Sequence, residues 1–193
     1  MKVNKKGRYL QFGGPVGDPK KESTGYAKLD ARLARLAEEQ ASDTSNYTMS
    51  SADRIQRQRM METGGEKDPD RAVSPAGAQG YWQIMPTTRM DLEDRGLVPK
   101  GMDPFNREHS RMMRDAKINA LSKLQFIANP PQKIPEVNRL ARIYASYNHG
   151  EGNTRKALEK AKAEGVNIYD DPRLWLPYLP SETQKYVKAI LFD

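Results

Sequence analysis

The sequence predicts a mainly α-helical domain preceded by an irregular extension. After residue 51, apolar side chains recur every three or four residues through most of the chain, which is the spacing of one helix face. Glycine, proline or asparagine follows each periodic stretch, as at the ends of helices. The alternation of apolar and polar residues that indicates half-buried strands is almost absent. A chain of 193 residues is long enough for one ordinary domain with an appendage.

Residues 1–50 are predicted to form a basic, partly disordered extension with one short amphipathic helix. Residues 1–21 contain six lysine or arginine side chains and one acid, and residues 42–50 form a polar linker. Leu29, Leu33 and Leu36 recur at helical spacing between them. A basic arm can bind nucleic acid, but no recognition module accompanies this one, so a solvated tail is the favoured interpretation.

Residues 51–193 are predicted to form the domain. Ser51 is expected to cap a first helix that carries Ile55, Arg59 and Glu62 on one face and ends at residues 64–65. Glu62 then lies in the last turn, where the negative end of the helix dipole favours a protonated acid. Further helices are expected at residues 87–95, 106–128, from 135 through 147, 154–164 and from 180 onward.

Composition argues against several kinds of site. The chain has no cysteine, which excludes disulfides and thiolate metal ligands. His109 and His149 lie far apart without ligand spacing, so we expect neither a metal nor a cofactor, and we assign His149 no role. No stretch approaches the roughly 20 apolar residues of a membrane span, and no secretory signal is visible after Met1.

The most informative stretch begins at Glu62 and reads ETGGEKDPDRAVSPAGAQGYWQIMP. It indicates an acid at a helix end, followed by a loop of small side chains. SYNHG at residues 146–150 and LPSETQKYV at residues 179–187 follow in order. Together these stretches resemble the motifs of the soluble lytic transglycosylase family, whose first motif is Glu-Ser, then Ser-x-x-Gly-Ala-x-Gly-Leu-Met-Gln-x-Met-Pro.

The resemblance implies a lysozyme-like fold and a peptidoglycan lytic transglycosylase. Such enzymes cleave the β-1,4 bond between N-acetylmuramic acid and N-acetylglucosamine and leave a 1,6-anhydro ring. One glutamate acts first as acid and then as base, so the resemblance implies that Glu62 is catalytic and has a raised pKa. The substrate would be the peptidoglycan glycan strand, and a formal charge of +7 suits an anionic cell wall.

The first motif also implies substrate-binding residues. Ser74 matches the serine that helps hold the N-acetyl group of the substrate, although it also suits a turn before proline. Gly80 permits a backbone shape that side chains would block, and Gln83 and Met85 match groove-lining positions. Trp82 stands where the family has methionine, and we favour core packing for its ring.

The two later motifs imply four more site residues. Tyr147 and Asn148 match the family's Ala-Tyr-Asn motif, which places the tyrosine hydroxyl near the catalytic acid, while the asparagine is expected to fix the helix end. Glu182 and Tyr186 match the final motif. Glu182 serves equally well as a substrate contact or as an ordinary acid in the first turn of a helix.

One departure from the family concerns the spacing of the acid. The family's glutamate precedes the serine by nine residues, whereas Glu62 precedes Ser74 by twelve. Three extra residues fit a loop insertion, which costs little, but they admit Glu66 as a rival. We prefer Glu62, because Glu66 follows two glycines in a hydrophilic loop and has no helix behind it.

Two alternative functions remain open. A hydrolytic muramidase or endolysin of similar fold would need a second carboxylate, for which Asp91, Asp94 and Asp103 are available. A structural virion or tail protein with a vestigial enzyme domain is the other alternative. Because phages carry domains of this family, we expect a virion location and action in the bacterial periplasm or cell wall during infection, with tail or internal virion proteins as partners.

Overall fold

The computed structural model describes residues 49–192, and the helix predicted around Leu33 lies outside them. The helices are α1 (Ser51–Thr63), α2 (Pro86–Asp94), α3 (Arg107–Ser122), α4 (Gln125–Ala128), α5 (Glu136–His149), α6 (Glu151–Ala163) and α7 (Ser181–Leu191). Single 3-10 turns lie at Pro69–Arg71, Pro172–Leu174 and Leu176–Tyr178. Within this part of the chain only isolated β-bridges occur, between residues 73 and 84. The predicted mainly α class is confirmed.

Helix α5 is the centre of the larger core. Its residues from Leu140 to Tyr147 are all buried, and α5 contacts α3, α6 and α7. Ala141 and Ala145 are completely buried, and their small side chains allow neighbouring helices to approach closely. The same core includes Val187 of α7. Because α5 is buried on nearly every side, it fixes the position of its C-terminal residues within the domain.

A second apolar cluster supports the loop that joins α1 to α2. Trp82 is 4% exposed and packs with five other buried residues, Ile84, Leu92, Val98, Met102 and Met113. The backbone N–H of Trp82 donates a hydrogen bond to the hydroxyl of Ser110 at 3.2 Å. The interpretation of Trp82 as a core residue is therefore confirmed.

The first helix differs from the prediction in two respects. Ser50 rather than Ser51 is the N-cap, and its hydroxyl accepts a hydrogen bond from the backbone N–H of Asp53 at 3.1 Å. The predicted apolar residue Ile55 is 40% exposed, whereas the buried residues of α1 are Gln58 and Thr63. The side chains of α1 that face the interior are therefore polar.

Two predicted helix boundaries were wrong. The stretch 106–128 divides at Lys123, whose backbone N–H bonds back to Ala120 in a tighter turn. This turn brings the carbonyl of Phe126 to the buried guanidinium of Arg142 at 2.5 Å. Helix α6 begins at residue 151 rather than 154, because Gly150, at φ +91°, ends α5 and immediately caps α6.

Candidate active site

Glu62 lies in the last turn of α1 and lines an open cleft of about 310 Å³. The cleft lies between the loop after α1, the C-terminal part of α5 and the start of α7. All of the predicted site residues except Gly80 line it: Glu62, Ser74, Gln83, Met85, Tyr147, Asn148, Glu182 and Tyr186. The structure therefore brings together residues from three stretches that are far apart in sequence.

A chain of hydrogen bonds leads from the interior to the carboxylate of Glu62. The hydroxyl of Tyr186 donates to Oε1 of Glu62 at 2.5 Å, and Nε2 of Gln58 donates to the hydroxyl of Tyr186 at 3.0 Å. Nε of Arg114 in turn donates to Oε1 of Gln58 at 2.9 Å. Gln58 and Arg114 are buried. One oxygen of Glu62 is thus held by a network that joins α1, α3 and α7.

Burial raises the pKa of Glu62 from 4.5 to about 7, because a charged carboxylate loses hydration in the cleft. The hydrogen bond from Tyr186, the positive charge of Lys117, the hydrogen bond with Gln58 and the charge of Arg114 all lower the pKa, but burial outweighs them. A carboxyl group with this pKa is present in both protonation states near neutral pH. It can therefore donate a proton and later accept one.

Tyr147 lies beside the same carboxylate. Its buried hydroxyl donates to the carbonyl oxygen of Trp82 at 3.1 Å. The pKa of Tyr147 is raised well above 10, first by burial and then by the negative charge of Glu62. The pKa of Tyr186 is raised for the same two reasons. Both phenol groups therefore stay protonated at neutral pH, and both remain hydrogen-bond donors.

Asn148 joins two helices at the edge of the cleft that it lines. Its Oδ1 accepts a hydrogen bond from the hydroxyl of Thr183 at 2.8 Å, which connects the end of α5 to the start of α7. Glu182 is exposed in the first turn of α7 and lines the cleft beside Asn148. Its position is compatible with both of the roles that the sequence left open.

The loop before α2 presents Ser74 and Gln83 to the cleft. The hydroxyl of Ser74 accepts a hydrogen bond from the backbone N–H of Ala78 at 3.0 Å, so this side chain stabilises a turn while it lines the cleft. Gln83 has a φ of +47°, and no other described non-glycine residue has a positive φ. Its Nε2 donates to the carbonyl of Gly80 at 2.9 Å, which fixes a side chain whose backbone is strained.

Gly80 does not line the cleft. It has a φ of +72°, and a Cβ atom at this position would lie 1.8 Å from the carbonyl oxygen of Pro104. The glycine is therefore needed for close packing between two loops. Its carbonyl accepts the hydrogen bond from Nε2 of Gln83, which does line the cleft.

The alternative carboxylates lie elsewhere. Glu66 is exposed in the loop after α1 and does not line the cleft. Asp94 and Asp103 are also exposed and outside it. Asp91 lines an adjoining chamber, where it forms an ion pair of 3.0 Å with Arg95. The carboxylate that does share the cleft with Glu62 is Glu182.

Sequence reasoning missed Gln58, Arg114 and Lys117. Gln58 precedes Glu62 by one helical turn, a spacing that places both side chains on one face and could have revealed it. Lys117 lines the cleft, and its Nζ donates to the carbonyl oxygen of Tyr147 at 2.9 Å. Burial lowers the pKa of Lys117 to about 8, although the charge of Glu62 opposes this. No local pattern distinguishes Lys117 or Arg114 from the many other basic residues.

Residues 49–192 show no group of three or more histidine or acidic side chains that could hold a metal ion. Among the same residues, no helix is long and apolar enough to cross a membrane.

The model of the transglycosylase SLT domain family matches residues 62–169, more than half of the chain. The chain belongs to this family. The match begins at Glu62, and it confirms the predicted family.

Two curated relatives are similar to this SLT domain. Both are named membrane-bound lytic murein transglycosylase D, one from Escherichia coli strain K12 and one from E. coli O6:H1 strain CFT073. Each is 32% identical over 124 residues, which cover 64% of this chain and 24% of the relative. The chain thus spans about a quarter of the length of these relatives. No solved structure matches the chain significantly.

Proposed function

We propose that the protein is a peptidoglycan lytic transglycosylase in which Glu62 alone serves as acid and then as base. The observation that carries this proposal is the cleft in which residues of all three motifs surround Glu62, and burial there raises the pKa of Glu62 to about 7. Membership of the SLT domain family and the relatives named murein transglycosylases support the same substrate, the MurNAc–GlcNAc β-1,4 bond of the glycan strand.

The reaction needs two proton transfers and no water. Protonated Glu62 donates its proton to the glycosidic oxygen as the bond to C1 of the muramic acid breaks, and the leaving sugar keeps that oxygen as a hydroxyl. The carboxylate formed is stabilised by the hydroxyl of Tyr186, which donates to Oε1. Glu62 then removes the proton from the C6 hydroxyl, whose oxygen bonds to C1 and closes the 1,6-anhydro ring.

The remaining cleft residues are proposed to hold the strand. A polar cleft with fixed donors orients sugar rings through their hydroxyl and N-acetyl groups, and rigid placement of those donors reduces the entropy lost on binding. The residues in this role are Ser74, Gln83, Met85, Tyr147, Asn148, Glu182 and Tyr186.

Hydrolysis is the second candidate, and one observation favours it. Glu182 lines the same cleft as Glu62, so a second carboxylate is available to activate a water molecule. A muramidase of this kind would lose its activity when Glu182 is replaced by glutamine. A transglycosylase would lose only what Glu182 contributes to substrate binding.

Replacement of the acid tests the assignment of Glu62. Glu62→Gln keeps the size of the side chain but cannot donate an acidic proton, so turnover of purified peptidoglycan should fall by roughly 10² to 10⁴-fold. Glu66→Gln is the matched control, since Glu66 is exposed outside the cleft, and it should retain nearly full turnover. Equal losses in both variants would contradict the proposal.

Residues 1–50 are proposed to place the enzyme rather than to serve chemistry, and the whole chain is proposed to be carried in a phage virion. The predicted site residues all follow residue 51, and the basic side chains of residues 1–21 suit an anionic partner. A protein that begins at Tyr47 retains Ser50, the N-cap of α1, and should retain turnover.

Proteomics of washed phage particles should detect the full chain, and detection in soluble lysate alone would favour an endolysin.

A further inference from the structure

Lys117 is a cation in the cleft that interacts with the charge of Glu62 but forms no ion pair with any carboxylate of residues 49–192. Its side chain is partly buried on α3, and one hydrogen bond, to the carbonyl of Tyr147 at 2.9 Å, is its polar contact. The Nζ atom lies 4.1 Å from the centroid of the Tyr147 ring. An ammonium group has three N–H donors. Among residues 49–192 no carboxylate forms an ion pair with Lys117, so two donors remain available to a ligand.

The cost of this arrangement points to a ligand. Burial lowers the pKa of Lys117 to about 8, which means that the folded protein disfavours the ammonium form. A hydrophobic side chain of similar length would fill the position without this cost. Arg95 illustrates the contrast, since it lines the neighbouring chamber but is already paired with Asp91 at 3.0 Å.

Lys117 also stands between two cavities. The cleft of Glu62 and the adjoining chamber, which has a volume of about 420 Å³, share Met85, Lys117, Tyr147 and Asn148 as lining residues. The two spaces therefore adjoin each other at Lys117. Ser146 also lines the chamber, and its hydroxyl is buried without a hydrogen-bond partner.

We propose that Lys117 is a specificity-determining residue that binds a carboxylate on the C3 substituent of the muramic acid, with that substituent extending into the chamber. This inference rests on the proposed function. Among the two sugars of the strand, only muramic acid bears an acidic substituent: a lactyl group that ends in a free carboxylate or continues into a peptide with carboxylates of its own. Lys117 therefore selects peptidoglycan over neutral N-acetylglucosamine polymers, through a contact that strengthens as the cleft is desolvated.

Equilibrium binding to a turnover-deficient protein tests this inference. Glu62→Gln is compared with Glu62→Gln/Lys117→Met by calorimetry, using three ligands of equal sugar number: neutral chitotetraose, naked glycan with free lactyl carboxylates, and glycan that carries peptides. The second substitution should weaken binding of at least one anionic ligand by roughly tenfold and leave chitotetraose unchanged. A loss confined to naked glycan assigns the lactyl carboxylate, and a loss confined to peptide-bearing glycan assigns the peptide.

Two control variants distinguish a contact made by Lys117 from a general effect of charge or of misfolding. Lys156→Met removes the same charge from an exposed position on α6 outside both cavities, and it should change no affinity. Lys117→Gln provides a second variant if the methionine disturbs the fold, and thermal unfolding checks both. Unchanged binding of both anionic ligands, or equal losses for all three ligands, would overturn the inference. If the parent binds no ligand and the wild-type protein cleaves no peptidoglycan, the proposed function itself fails.

Discussion

The hydroxyl of Tyr186 donates a hydrogen bond of 2.5 Å to Oε1 of Glu62, across 124 positions of sequence. This contact stabilises the charged form of an acid whose surroundings otherwise favour the neutral form. The balance between burial and this hydrogen bond keeps the pKa of Glu62 near neutrality. Both the pH dependence of turnover and the pH dependence of stability should therefore respond to changes at either residue.

The pH dependence of turnover should have a basic limb near pH 7. Glu62 must be protonated before it can donate a proton, and burial raises its pKa to about 7. The rate constant kcat/KM should therefore fall tenfold for each pH unit well above that value. Initial rates on solubilised glycan strands between pH 5 and 9 check this. A flat profile from pH 6 to 9 would contradict the assigned pKa.

Tyr186→Phe should move that limb to higher pH. The phenylalanine removes a hydrogen bond that lowers the pKa of Glu62, so the pKa should rise further. Hydrogen bonds to charged groups contribute about 1.5–3 kcal/mol, which corresponds to about one to two pH units. Tyr144→Phe is the control, because Tyr144 is buried and lines a different cavity. A shift toward lower pH would contradict the role assigned to the Tyr186 hydroxyl.

Glu62→Gln should stabilise the fold at pH 8 but not at pH 4. Since the pKa of Glu62 is raised on folding, the native state binds more protons than the unfolded chain between about pH 4.5 and 7, and stability falls as the pH rises through that range. The neutral glutamine avoids this loss, so the free energy of unfolding at pH 8 should rise by about 1–3 kcal/mol. Urea unfolding at both pH values measures it, and an equal effect at pH 4 would contradict the account.

Gly80→Ala should destabilise the protein much more than Gly77→Ala. Both glycines have positive φ, which costs alanine about 1–2 kcal/mol. At Gly77 the new methyl group meets nothing within 4 Å, whereas at Gly80 it would lie 1.8 Å from the carbonyl oxygen of Pro104. Urea unfolding should show a difference of at least about 2 kcal/mol between the variants. Equal stability would show that the loop has room to move.

The sequence predicted the parts of the site that are encoded locally. Glu62 and Ser74 fall in one motif with helix stop signals between them, and both line the cleft. Gln58 was missed because its importance depends on Arg114 and Tyr186, which lie 56 and 128 positions away. A glutamine on a helix usually faces solvent, and its spacing of one turn from Glu62 was the only local signal within α1.

The division of the predicted 106–128 helix has a similar cause. The apolar periodicity continues across Lys123, so a local pattern cannot reveal the break. The turn is favoured by a contact from elsewhere, the hydrogen bond of Arg142 to the carbonyl of Phe126. Conversely, the end of α1 was predicted correctly because two consecutive glycines disfavour a helix, and Gly64 is the C-cap of α1.

The most direct test of the central claim is mass spectrometry of the products released from purified peptidoglycan. If Glu62 acts alone as acid and then as base, the fragments should end in 1,6-anhydromuramic acid, lighter by one water than hydrolytic fragments, and Glu62→Gln should release almost none. Glu182→Gln should still yield anhydro ends. Products with free reducing ends, together with a complete loss of cleavage in Glu182→Gln, would contradict the claim and assign the protein to the hydrolytic muramidases.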